Sequence, residues 1–297
     1  MDDSYPRKLE VWPAPALAVL EDAARNGHGR TPLNGPHTPG HFAERLYVSE
    51  TLSAAPPPER PAGASEPYSL QWFLEIESQR HGRRGSWIPR LLEFAKHGGE
   101  TLLGLGDGLG TDWIQYARHG AHVIVCTSAA DQLALVRRNF DLRGLPGRFL
   151  AARPSCLPLE AASIDVVSLS GLLDEVADPQ AVVAEVYRVL KPGGKVLAVT
   201  AARYDVAYWS GLLLPWLRWL EPRRPGPPAA RFSARRLRRL FGGFVEHRVY
   251  KRQLRRSDVP HAWRWLPLPL LERLMGRVLA LKAFKPLSAA IAVQAAA

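Results

Sequence analysis

The chain is expected to fold as a doubly wound α/β domain, and three observations lead there. Apolar, strand-like runs recur along the middle of the sequence, at TLLGLG (101–106), HVIVCTS (122–128), RFLAAR (148–153), IDVVSLS (164–170) and KVLAVTA (195–201). Amphipathic helix-like segments, TDWIQYARHG, AADQLALVRRNFDLRG and PQAVVAEVYRVLKPGG, lie between them. The first run also leads directly into LLGLGDGLGTD (102–112), where Gly104, Gly106, Gly108 and Gly110 alternate with other residues. Strands that are apolar on both faces belong to a parallel sheet covered by helices on both sides.

Taken in order, residues 1–66 carry ten prolines and five glycines and read as an irregular extension, with a short helix at Ala16–Arg25 closed by Gly27. The main domain is expected over 67–297. YSLQWFLEIESQR and SWIPRLLEFAKHGG then read as two cap helices within 67–100, the second stopped by Gly98 and Gly99. The strand–helix alternation follows. After Ala202 the pattern loosens into YDVAYWSGLLLPWLRWLEPRRPGPP, an aromatic and basic insertion expected to form a lid over 203–232. SARRLRRLFGGF reads as a helix with a serine N-cap, FVEHRVYKRQL as a strand, and GRVLALKAFKP as the last strand.

In an open α/β sheet, ligands bind where the carboxyl ends of the strands meet the following helices. Glycine there admits a ligand against the backbone, and the helix N-terminus offers unpaired N–H groups. The dinucleotide fingerprint G-x-G-x-x-G fails in both registers, because Leu109 or Thr111 stands where the last small residue belongs. This disfavours an oxidoreductase. What remains is G-x-G-x-G at Gly106, Gly108 and Gly110.

With its neighbours, this loop resembles the class I S-adenosylmethionine-dependent methyltransferases, particularly the small-molecule branch that includes quinone-biosynthesis enzymes. LLGLGDGLGTDWIQYARHGAHV resembles that family's first motif and helix. CLPLEAASIDVVSLSGLLDEVADPQAVVAEVYRVLKPGGKVLAV resembles its fourth strand, next helix and fifth strand, including the turn VLKPGGKVL. The resemblance covers residues 68–202 and implies a Rossmann-like, mostly parallel seven-stranded sheet with an antiparallel last strand. It implies S-adenosyl-L-methionine as cofactor. Gly104, Gly106, Asp107, Gly108 and Gly110 would lie at its methionine portion, Thr127 and Ser128 at the ribose, Arg153 and Pro154 at the adenine edge, and Ser170 nearby. Three positions that are usually acidic in the family are here Gly104, Thr127 and Arg153, and each charged hydrogen bond lost is worth about 1.5–3 kcal/mol.

Methyl transfer rests on positioning, and an acceptor that must lose a proton also needs a base. Asp174 and Glu175 follow the fourth strand, where either can serve; the alternative is a solvated loop or a helix N-cap. Arg80 suits an anionic acceptor or an exposed salt bridge, with Tyr68, Trp72 and His81 on the same helix as packing residues or part of a closing cap. Asp112 reads as a helix-start stabiliser. The Trp209–Leu220 stretch with Arg223 and Arg224 suits a small or lipid-like acceptor, a peripheral membrane contact, a lid buried on the core or a homodimer face. Arg235, Arg236, Arg238 and Arg239 read as a solvated basic face, and no nucleic-acid-binding motif accompanies them.

The chain has 297 residues, 46% of them hydrophobic and 23% charged, with a formal net charge of +11. The two cysteines, Cys126 and Cys156, read as reduced core thiols, and the histidines show no metal-ligand spacing. Without a secretory pattern or a long apolar run, the expected location is cytoplasmic. Two readings follow: a methyltransferase, or a catalytically degenerate protein of the same fold acting as a binding or regulatory subunit.

Overall fold

A computed structural model describes residues 65–83, 85–106, 108–213, 231–259 and 263–287. The N-terminal extension with its expected helix, Asp107 and most of the Trp/Arg-rich insertion, including Trp216, Trp219, Arg223 and Arg224, lie outside the described residues.

Helix α1 (Leu70–His81) begins at Ser69, whose hydroxyl accepts the Trp72 N–H. The second expected cap helix is broken. Only α2 (Ile88–Leu91) and a 3-10 turn at Phe94–Lys96 form, because Glu93 between them adopts a left-handed φ of 55°. Three lysines explain why a non-glycine residue is held there. Lys195, Lys282 and Lys96 lie 2.8, 2.7 and 3.1 Å from its carboxylate. Burial opposes that charge, but the lysine hydrogen bonds outweigh it and hold the Glu93 carboxyl at about 2.

The alternation follows as β1 (Thr101–Leu105), α3 (Thr111–Arg118), β2 (His122–Thr127), α4 (Ala130–Asp141), β3 (Arg148–Ala151), β4 (Ile164–Ser170), α5 (Leu172–Glu175), α6 (Pro179–Val189) and β5 (Leu190–Ala201). Then come α7 (Val206–Leu213), α8 (Ala234–Leu240), β6 (Val245–Arg252), α9 (Leu268–Met275) and β7 (Val278–Phe284). Strand β5 starts earlier than its apolar run. Leu190 pairs with Ile164, and pairing resumes at Lys195 with Val166 across an irregularity that contains Gly193 at a φ of 79°. Ser233 caps α8 as expected, accepting the Arg236 N–H, and its four arginines are exposed.

All seven strands form one sheet in the order β3-β2-β1-β4-β5-β7-β6. Strands β1 to β5 run parallel, and β7 lies antiparallel between β5 and β6. This is the Rossmann-like arrangement expected from the sequence. Alternate residues of each strand face opposite layers. Leu103, Leu105, Val167 and Ala198 pack with Val186 of α6, Leu237 of α8 and Phe241 just after it. Leu102, Val125, Val166 and Leu197 pack with Trp113, Val136 and Phe140 of α3 and α4. A smaller cluster stands apart, joining Val206 of α7 and Leu254 and Val259 to Leu271 and Met275 of α9.

Cys126 is buried in β2, where burial pushes its thiol up to about 11. Cys156 departs from the expected core position, being exposed on a turn closed by its N–H donating to the Arg153 carbonyl. Among the described residues no helix is long and apolar enough to cross a membrane.

Candidate active site

The strand order reverses direction between β1 and β4, so the crevice above their carboxyl ends is the topological switch point. The glycine loop leaves β1 there. Leu105 pairs with Leu169 on one side and Cys126 on the other, which sets Gly106 between Ser170 and Thr127. Gly106 has a φ of 144°, and a Cβ on it would lie 2.7 Å from the Ser170 carbonyl oxygen. Only glycine lets the two backbones approach this closely. Gly110, at a φ of 76°, caps α3 against Val136.

The loop is pinned from α4. The Gln132 side-chain amide donates to the Gly108 carbonyl at 2.8 Å, and buried Asn139 donates to the Leu109 carbonyl at 2.8 Å. Arg143 in turn donates to Asn139 Oδ1. These amides look like ordinary helix-surface residues in the sequence, and nothing in their spacing marks them.

Gly104 is buried inside β1 and not in the loop. A Cβ there would sit 2.5 Å from Cε2 and Nε1 of Trp113, whose side chain packs across the strand. A larger side chain at this position has no room, because the indole fills its place.

Arg80 and Asp112 form the electrostatic centre. Arg80 is buried: its Nε donates to Asp112 Oδ1 at 2.6 Å, and Nη2 donates to Asp112 Oδ2. Nη2 also reaches Ser170 Oγ at 3.2 Å, and His81 Nε2 lies 3.1 Å from Asp112 Oδ1. Burial works against a charge on Asp112. The Arg80 guanidinium outweighs it, with help from His81, and holds the carboxyl well below the usual range. Arg80 is therefore a buried clamp tying α1 to α3 and to the end of β4, in place of the exposed salt bridge the sequence suggested. Asp112 does more than stabilise a helix start. Glu77 reinforces the same docking through Gln115 at 2.7 Å, Arg118 at 2.6 Å and Arg143 at 2.6 Å. Tyr68 and Trp72 stack edge-on at 5.2 Å, as packing residues do.

Asp174 is neither a solvated loop residue nor a helix N-cap. It lies in the single-turn helix α5, 2% exposed, with Oδ2 accepting the Ala201 N–H at 3.0 Å at the end of β5. Its Oδ1 is buried with no hydrogen-bond partner among the described residues. Burial pushes the carboxyl up to about 8; the Ala201 bond and Arg231 oppose this, while the charge of Glu175 adds to it. Glu175 itself is exposed. Thr127 is buried at the end of β2, its hydroxyl accepting the Ala129 N–H at 3.3 Å, and Ser128 is exposed beside it. Arg153 is exposed and Pro154 half-buried just beyond β3.

This geometry agrees with what the chain is similar to. Residues 102–198 match the family model described as "Methyltransferase domain". This stretch of the chain is therefore similar to a methyltransferase domain. Demethylmenaquinone methyltransferase of Thermus thermophilus is 31% identical over 116 residues, which cover 38% of this chain and 53% of that protein. The enzyme of the same name from Clavibacter sepedonicus is 36% identical over 101 residues, covering 33% and 40%. The chain thus spans about half the length of the curated relatives it matches. Among solved structures, an S-adenosylmethionine-dependent methyltransferase from Aquifex aeolicus shares the fold with a TM-score of 0.50 at 15% identity, covering 73% of this chain and 98% of that one. A chain from the complex between the Haloferax volcanii Trm112 activator and a methyltransferase does so at 0.51 and 18%, covering 75% and 100%.

The cofactor of this methyltransferase class is S-adenosylmethionine, and the residues present fit it. Gly106 and Gly110, at φ of 144° and 76°, make the tight turn against Ser170 and Val136 that sets the loop at the β1–β4 switch point, where such a ligand lies.

Proposed function

We propose that the chain transfers the methyl group of S-adenosylmethionine to a small or lipid-like acceptor. The observation that carries this is the glycine cradle at the β1–β4 switch point, braced by the Arg80–Asp112 pair. When bound, the cofactor supplies an electrophilic sulfonium methyl group. Gly106, Gly108 and Gly110 would hold its methionine portion, Thr127 and Ser128 its ribose, and Arg153 and Pro154 the adenine edge. The Arg80 clamp holds helix α1 against α3 and against Ser170 at the end of β4.

Asp174 stands at the exit of β4 with one carboxylate oxygen engaged and the other without a hydrogen-bond partner among the described residues. A carboxyl near 8 keeps its proton at acidic pH and yields a base close to neutrality, which suits removal of a proton from a hydroxyl or an acidic carbon of the acceptor. The Oδ1 atom would take that proton. The relatives named for demethylmenaquinone support an aromatic, lipid-like acceptor, as do the exposed Tyr204 and Tyr208 beyond β5.

Incubation with methyl-labelled cofactor and a reduced naphthoquinone tests this. The expected result is label in the organic extract, dependent on the acceptor. Label that stays in the cofactor with every quinol and phenol offered contradicts it and favours the non-catalytic binding-subunit reading.

A further inference from the structure

We propose that the face built by α7, α9 and the turn before α9 docks on the surface of a bilayer containing anionic lipid. In α9, Leu271 and Met275 enter the small cluster with Val206 and Leu254, while Leu270 and Leu274, one turn apart, are 47% and 45% exposed. Trp265 is 78% exposed, and Tyr204 and Tyr208 are 39% and 43% exposed. Large apolar and aromatic side chains gathered at one place on the surface mark a contact site. Leucines flanked by tryptophan and tyrosine suit the boundary between acyl chains and headgroups.

Charge identifies the partner. The acids of the segments that form this face are Asp205, Asp258 and Glu272, and each faces an arginine: Arg231 at 3.2 Å, Arg277 at 3.6 Å and Arg252 at 2.9 Å. Arg203, Arg255, Arg256 and Arg273 in the same segments are exposed. Apolar side chains with a net basic rim complement an anionic interface.

The face is rigid enough to act as a unit. The Trp209 indole donates to the Leu274 carbonyl at 3.3 Å, and Lys251 donates to the carbonyls of both Leu274 and Tyr204. It also adjoins the site edge of the sheet, because Ala201 at the end of β5 pairs with Val278, which pairs with Arg252. The docking does not depend on methyl transfer; where both hold, a lipid-like acceptor has a short path from bilayer to crevice.

The test is cosedimentation of the full chain with vesicles of phosphatidylcholine, with and without phosphatidylglycerol, alongside Leu270→Glu/Leu274→Glu. Both leucines are exposed, so the variant is expected to melt like the parent. The expected result is binding to anionic vesicles that falls about tenfold or more without phosphatidylglycerol, and by a similar factor in the variant. Absence of binding by the parent overturns the proposal, as does equal binding by the variant. So does a concentration-dependent dimer that the variant abolishes, which would assign the face to a second copy.

Discussion

Arg80→Met is expected to lower the stability of the protein by about 3–5 kcal/mol, because it strips the buried Asp112 carboxylate of its guanidinium and leaves only His81 beside it. The measurement is the urea midpoint at constant slope. The double variant Arg80→Met/Asp112→Leu is expected to recover much of the loss, since no buried charge then remains uncompensated. The pair also has a pH signature. The folded pKa of Asp112 lies below its unfolded value of about 3.9, so its contribution is present above that pH and is lost as pH falls through the folded value. The parent should lose stability on acidification more steeply than the double variant. Equal midpoints for the parent and Arg80→Met would mean that the clamp is dispensable.

Asp174→Asn is expected to stabilise the protein while disabling it. The folded pKa of about 8 lies above the unfolded value, so the fold favours the neutral acid. Well below pH 4 both states hold the proton and the shift costs nothing. As pH rises toward 8, the unfolded chain ionises while the folded one does not, and stability falls by on the order of a few kcal/mol. Asparagine keeps an oxygen for the Ala201 N–H and never ionises. Its melting temperature should exceed the parent's at pH 8, with the difference shrinking toward pH 4. Removal of a general base should also slow methyl transfer by about 10²–10⁴-fold. A stabilised variant of undiminished activity would leave Asp174 a structural brace.

The fold was legible because strand and helix periodicities alternate from Thr101 to Ala201, broken only by the helix-free connection from β3 to β4, and a run such as IDVVSLS admits few other structures. The loop position was legible for the same reason. The break in the second cap helix was not, because what holds Glu93 out of the helix includes Lys195 and Lys282, supplied by strands far along the chain. The Arg80–Asp112 clamp was hidden similarly. Each residue alone looks like a helix-surface charge, and only the docking of α1 on α3 buries them together. Gly104 read as a departure from a family pattern until the Trp113 indole accounted for the missing side chain. The burial of Asp174 depends on β5 closing over α5, which one-dimensional spacing does not record.

Calorimetric titration of the purified chain with S-adenosylmethionine and S-adenosylhomocysteine, beside Gly106→Ala, tests the central claim most directly. The added methyl of Gly106→Ala would meet the Ser170 carbonyl at 2.7 Å from a backbone φ of 144°, so the cradle must open. Micromolar binding by the parent that is lost in the folded variant is the predicted result. No heat of binding up to millimolar concentrations of either ligand would contradict the account.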